Sequence, residues 1–131
     1  MTTSLTQKLQ VKPGQRMAVL NAPAGYPGKL ATELAGVDVA TEVAGQTEAV
    51  LLFVNSLAEV SRWVDTGIRA VKPGGLFWIA YPKGTSRVKT DVNRDRLWEA
   101  VQPTGWRPVR QVALDGVWSA LRFRPAEEVG R

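Results

Sequence analysis

Histidine and cysteine are both absent from the 131 residues. Imidazole bases, thiol nucleophiles, Ser-His-Asp triads, Cys/His zinc sites and disulfides are thereby excluded, and any chemistry falls to carboxylates, lysines, tyrosines, hydroxyls and backbone dipoles. Two groups of residues have types and spacing suited to holding a ligand. The first lies in three places that follow apolar runs: the loop Asn21, Ala22, Gly25 and Tyr26, then Glu42, then Asn55 and Ser56. The second is the segment from Lys83 to Arg94, where Lys83, Arg87, Lys89 and Arg94 oppose a single acid, Asp91, while Gly84, Thr85 and Ser86 add backbone and hydroxyl donors. That chemistry suits an anion. Neither group contains a nucleophile with its base or a metal-ligand spacing, so no catalytic and no metal-binding residue is assigned.

The elements that must position these groups follow from periodicity. Residues 4–10 read as a short helix or arm. Met17 to Leu20 is an apolar run and the first strand, followed by a Gly/Pro-rich loop, Asn21 to Gly28, and a short helix carrying Leu30 and Leu34 that Gly36 closes. Val37 to Val43 alternates apolar and polar residues as a second strand. Ala49 to Val54 is the strongest buried strand. Ser56 and Glu59 have the spacing of a capping box for a helix whose apolar face is Leu57, Val60, Val64, Ile68 and Val71. Lys72-Pro73-Gly74-Gly75 turns that helix into the uncharged strand Leu76 to Tyr81. Thr90-Asp91 is positioned to cap a last helix through Val101, and Pro108 to Leu114 and Trp118 to Phe123 form a hairpin about Asp115-Gly116. In open parallel sheets ligands bind beyond the carboxyl ends of the strands, where the strand order reverses. The loops after the first and fourth strands therefore emerge at one sheet edge, and the Lys83–Arg94 segment is expected to lie over the Asn21–Tyr26 loop.

The length fits one domain over 1–131, with a flexible tail expected over 125–131. At 44% hydrophobic and 22% charged, the composition is that of a globular protein. No apolar run approaches the ~20 residues that span a bilayer, and the first residues carry no signal-peptide core, which leads to an expected cytoplasmic location away from membranes. The net charge of +5 arises in the second half: residues 1–71 hold six basic and six acidic side chains, residues 72–131 eleven and six. Five tryptophans are scattered over helices, a strand and the hairpin, as packing residues would be.

The junction Val71-Lys72-Pro73-Gly74-Gly75 followed at once by an apolar strand resembles the fourth-helix-to-fifth-strand junction of the S-adenosylmethionine-dependent methyltransferase superfamily. The resemblance spans roughly residues 10–124. The chain is also similar to a group of small bacterial proteins, without an established activity, that share Val-Leu-Asn-Ala-Pro and Ser-Ala-Leu-Arg-Phe stretches. It implies an α/β three-layer fold: a mostly parallel Rossmann-type sheet in the order second, first, third, fourth strand, with the antiparallel hairpin at the far edge. Only five residues separate Val43 from the next apolar run, so a helix and edge strand of the usual fold are missing. The shortened edge leaves the second strand exposed and suggests a homodimer.

The same resemblance places the cofactor's methionine part at the first loop, against an acid and three glycines. This chain has Val19 at the acid position, Asn21 and Pro23 at two glycine positions, and Gly25 at the third. Glu42 matches the ribose-binding acid only loosely. The expected function is therefore a methyltransferase-like domain without methyl transfer and without a cofactor, acting on a small anionic ligand or a protein partner. A small-molecule methyltransferase with a remodelled S-adenosylmethionine loop is the first alternative, and a nucleic-acid-binding accessory protein the second.

Overall fold

The computed structural model describes residues 4–42, 45–84 and 90–126. Its element order is α1 (Leu5–Leu9), β1 (Arg16–Leu20), α2 (Tyr26–Glu33), β2 (Asp38–Ala40), β3 (Thr47–Phe53), α3 (Leu57–Ala70), β4 (Val71–Pro82), α4 (Arg94–Val101), β5 (Trp106–Ala113) and β6 (Trp118–Pro125), with a 3-10 turn at Gln102–Thr104. One six-stranded sheet runs β2-β1-β3-β4-β6-β5. Its first four strands are parallel, and β6 pairs antiparallel with both β4 and β5. The expected strand order and far-edge hairpin are both present.

Alternation along the central strands divides the core into two layers. Val50, Leu52, Phe77 and Ile79 pack with Val60, Val64, Leu97 and Val101 of α3 and α4, whereas Leu51, Phe53, Trp78 and Ala80 pack with Leu9, Leu30 and Leu34 on the α1 and α2 side. Both layers are buried and apolar, so β3 and the second half of β4 read as unbroken apolar runs. Gly67 lets α3 lie close on the sheet, since a Cβ there would stand 2.7 Å from Phe77 Cε1. Trp78 is fully buried and satisfies its indole by donating from Nε1 to the Leu9 carbonyl at 3.1 Å, which ties α1 to the sheet.

Several boundaries differ from the sequence expectation. The second strand is three residues, not seven; of the rest, Val43 lies outside the described residues. Only Val39 and Ala40 of that strand are even partly buried, so little apolar surface rewards further pairing. The longer open edge is β5, and Pro108, a bulge at Val109 and the exposed Arg107 and Arg110 blunt it. The helix α2 begins at Tyr26, inside the expected loop, because Pro27 fits a helix's first turn, where no amide donor is needed. Lys72 to Gly75 is an irregularity within β4 rather than a turn before it: Val71 already pairs with Thr47, and regular pairing resumes at Leu76 with Ala49. The cap of α4 is Asn93, whose side chain accepts from the Arg96 amide at 2.9 Å, and not Thr90 or Asp91. At α3 the Ser56 hydroxyl caps as expected, but Glu59 reaches back to the Asn55 amide. The strand β6 runs to Pro125, the first residue of the expected tail, and residues 127–131 lie outside the described residues.

Candidate functional site

The strand order reverses between β1 and β3, so the ligand crevice of this architecture opens above Leu20 and Phe53. Asn21 follows β1 with φ 56° and Gly25 precedes α2 with φ 81°. Asparagine is among the few side chains that tolerate the left-handed region, so two of the three glycine-type positions keep a glycine-like backbone. The loop they frame is fastened by the chain's own contacts. The Asn21 amide donates from Nδ2 to the Phe53 carbonyl at 2.8 Å, closing the gap between the two strand ends. The Tyr26 ring lies 4.9 Å from that of Phe53, and Phe53 lies 5.0 Å from Trp118 in an edge-on contact. Phe53 is fully buried and Trp118 nearly so.

Asp115, in the hairpin turn, locks this arrangement. The Tyr26 hydroxyl donates to its Oδ2 at 2.7 Å, the Val117 and Trp118 amides donate to its Oδ1 at 2.8 Å each, and Lys29 stands 3.5 Å away. Burial alone would raise the Asp115 pKa. The Tyr26 hydroxyl, the two amides and the Lys29 charge outweigh burial and hold it below the usual carboxylate value. Burial and the Asp115 contact push the Tyr26 phenol the other way, well above the usual value, so it stays a neutral donor. A carboxylate with a lowered folded pKa contributes stability that is present above its unfolded value near 3.9 and is lost as pH falls through the folded value. Asp115→Asn should therefore flatten the loss of stability below about pH 4 in acid unfolding followed by circular dichroism. Asp115→Ala, which strands three donors, should cost about 2 kcal/mol at neutral pH.

The remaining sequence candidates are dispersed. Ala22 packs at the margin of the α1/α2 core layer. Asn55 and Ser56 serve the start of α3: the Asn55 carbonyl accepts from the Thr90 hydroxyl at 2.6 Å, the Ser56 hydroxyl accepts from the Glu59 amide at 3.2 Å, and Asp91 accepts from the Leu57 amide at 2.8 Å. Thr90 and Asp91 thus fasten the end of the basic segment to α3. Glu42 is exposed and lines a hollow of about 380 Å³ with Arg16 and Thr47, the first residues of β1 and β3, at the opposite end of the sheet. Lys83 donates its amide to the Val117 carbonyl at 2.7 Å. Arg94 opens α4 and lines a hollow of about 230 Å³ with Asp95, Trp98, Arg107 and Pro108, facing the hairpin and not the Asn21–Tyr26 loop. Thr85, Ser86, Arg87 and Lys89 lie outside the described residues. Sequence reasoning missed Phe53, Trp118 and Asp115 as crevice residues.

Tested against S-adenosylmethionine, this crevice does not fit. Val19 is buried where an acid would be needed, Pro23 offers no amide hydrogen, and Tyr26, at the end of the loop, is held against the Phe53–Trp118 pair and by Asp115. Among the described residues no group of three or more Asp or Glu could hold a metal ion, and no helix is long and apolar enough to cross a membrane.

The comparisons with known proteins concern the fold. No family model matches the chain, and no curated protein matches it. Among solved structures, a S-adenosylmethionine-dependent methyltransferase from Aquifex aeolicus superposes with a TM-score of 0.63 at 12% identity, over 91% of this chain and 86% of that one. The ribosomal protein L11 methylase of Lactobacillus delbrueckii subsp. bulgaricus gives 0.60 at 9% identity, over 91% and 73%. Fibrillarin from Aeropyrum pernix, solved with natively bound S-adenosyl-L-methionine, gives 0.54 at 12%, over 86% and 67%. The fold is a methyltransferase-like Rossmann-type domain, trimmed at one edge.

Proposed function

We propose that this methyltransferase-like domain is a binding module that does not transfer methyl groups, and that it works in the cytoplasm on an anionic ligand or a protein partner. The observation that carries the reading is the fastened loop: Tyr26, which ends the Asn21–Gly25 loop, packs on Phe53 beside Trp118, and Asp115 accepts from its hydroxyl. A cofactor entering the crevice must break a charge-assisted hydrogen bond and separate packed aromatic rings, which offsets several kcal/mol of its own binding. Isothermal titration of the full chain with S-adenosylmethionine should give no binding tighter than about 10 μM, roughly −7 kcal/mol. A tighter, saturable isotherm would refute it.

One observation favours a second reading, a methyltransferase with a remodelled loop. Asn21 and Gly25 retain the positive φ that the glycines of such a loop supply. Under that reading Tyr26→Phe, which frees Asp115 from the phenol, should raise cofactor affinity. Under the first it leaves binding undetectable.

A further inference from the structure

We propose that the face of the β5–β6 hairpin carrying Arg110, Arg122 and Arg124, with the adjoining Lys72–Gly75 bulge, binds a phosphate-bearing ligand. Arg122 and Arg124 are two apart on β6 and share a sheet face. Arg110 joins them through the irregularity in β5. Pro108 pairs with Phe123, so regular pairing would set Val109 opposite Arg122; the extra residue sets Arg110 there instead. Bulges of this kind re-aim a side chain. Two like charges directly opposite one another destabilise a hairpin. The arrangement therefore weakens the element that carries it unless a counter-charge is supplied.

The simpler reading, a charged guard against strand pairing, accounts for Arg107 and Arg110 on the open edge. It does not account for Arg122 and Arg124, because β6 lies between β4 and β5 and has no free edge. Arg122 is also held in place: its Nη1 donates to Gln10 Oε1 at 2.7 Å, while its Nε is buried without a hydrogen-bond partner. Among the described residues no carboxylate pairs with Arg110 or Arg122. Burial, followed by Arg124 and Arg110, lowers the proton affinity of Arg122, the electrostatic condition that an anion would relieve. Beside this face two hollows of about 270 and 310 Å³ share the Lys72–Gly75 bulge; Arg124 and Trp106 line one and Gln10 the other. Lys72 is already paired with Glu48 at 2.8 Å, so the arginines supply the charge. Planar guanidinium groups with several donors match phosphate oxygens in pairs.

The inference names a ligand class for the binding module and rests on that reading, but its test is separate from cofactor binding. In the full chain, inorganic pyrophosphate should shift the Nε–Hε resonances of Arg110, Arg122 and Arg124 saturably. Arg110→Gln, at an exposed edge position, should weaken binding about tenfold, the loss of one charge-assisted contact, while the melting temperature holds or rises because the repulsion with Arg122 is relieved. Arg110→Lys should restore part of it. A short single-stranded oligonucleotide identifies the source. If it binds more tightly than pyrophosphate, with a salt slope that falls by about one in Arg110→Gln, the phosphates belong to a nucleic-acid strand; if it binds no more tightly, they belong to a small molecule. Either result supports the site. No saturable shift at these arginines by about 10 mM pyrophosphate, or equal binding by Arg110→Gln, overturns it. A cofactor isotherm in a protein that still binds pyrophosphate would overturn the crevice reading and leave the arginine site standing.

Discussion

Phe53→Ala should lower the stability of the chain by about 3–5 kcal/mol, the range for deleting a large buried aromatic. Phe53 is fully buried at the carboxyl end of β3, and its ring is the middle member of the Tyr26–Phe53–Trp118 contact. The loss has two parts, the transfer free energy of the ring and the cavity left between two side chains that the rest of the structure holds. Tyr26 cannot swing in to fill it while its hydroxyl is bound to Asp115, and Trp118 is anchored by pairing with Pro82 of β4. Chemical denaturation should show the shift as a lower midpoint with an unchanged slope. A cost below about 1.5 kcal/mol would mean that the site collapses freely and that the aromatic fill is looser than drawn.

Gly75→Ala should cost about 2–3 kcal/mol, at the upper end for overpacking. A Cβ there would stand 2.7 Å from the Glu48 carbonyl oxygen, 2.8 Å from Val71 Cγ2 and 2.9 Å from the Lys72 carbonyl oxygen. Two of the three are backbone atoms of paired strands, which cannot step aside as a side-chain tip can. The opposing gain, reduced freedom of the unfolded chain, is only ~0.4–1 kcal/mol, so the clash wins. Gly74→Ala provides the contrast. Its Cβ meets nothing within 4 Å, but φ is 77°, so the expected cost is the ~1–2 kcal/mol of holding a side chain in the left-handed region. If the two variants melted together, the close approach of β3 to the β4 bulge would be wrong.

The scaffold was readable because its signals are local. The runs Ala49–Val54 and Leu76–Tyr81 carry no charge, which only strands covered on both faces require, and Asp115-Gly116 between two apolar segments marks a hairpin. The start of α2 was missed for an equally local reason, since Pro27-Gly28 has turn composition yet Pro27 suits a first helical turn. The site was less legible because its contacts are not local. Asp115 was visible only as a turn residue, and the hydrogen bond that makes it a crevice residue joins it to Tyr26, 89 positions earlier. The arginine face was half legible. The spacing of Arg122 and Arg124 places them together, but a period of two would have put Val109 beside them, and nothing in Pro108-Val109-Arg110 announces the bulge that substitutes Arg110. The basic excess of the second half was apparent from counting, and Arg107, Arg110, Arg122 and Arg124 on the hairpin supply four of its eleven cations.

The exclusion of the cofactor is tested most directly by following the Gly25 amide and the Trp118 indole resonances of the labelled protein during titration with S-adenosylmethionine. Both lie at the carboxyl ends of the parallel strands, one at the start of α2 and one against Phe53. With the loop fastened through Tyr26 to Phe53 and Asp115, neither should move as the cofactor is raised to about 1 mM, a concentration that populates any site of roughly −4 kcal/mol or better. Saturable shifts of both resonances at micromolar cofactor would contradict the account.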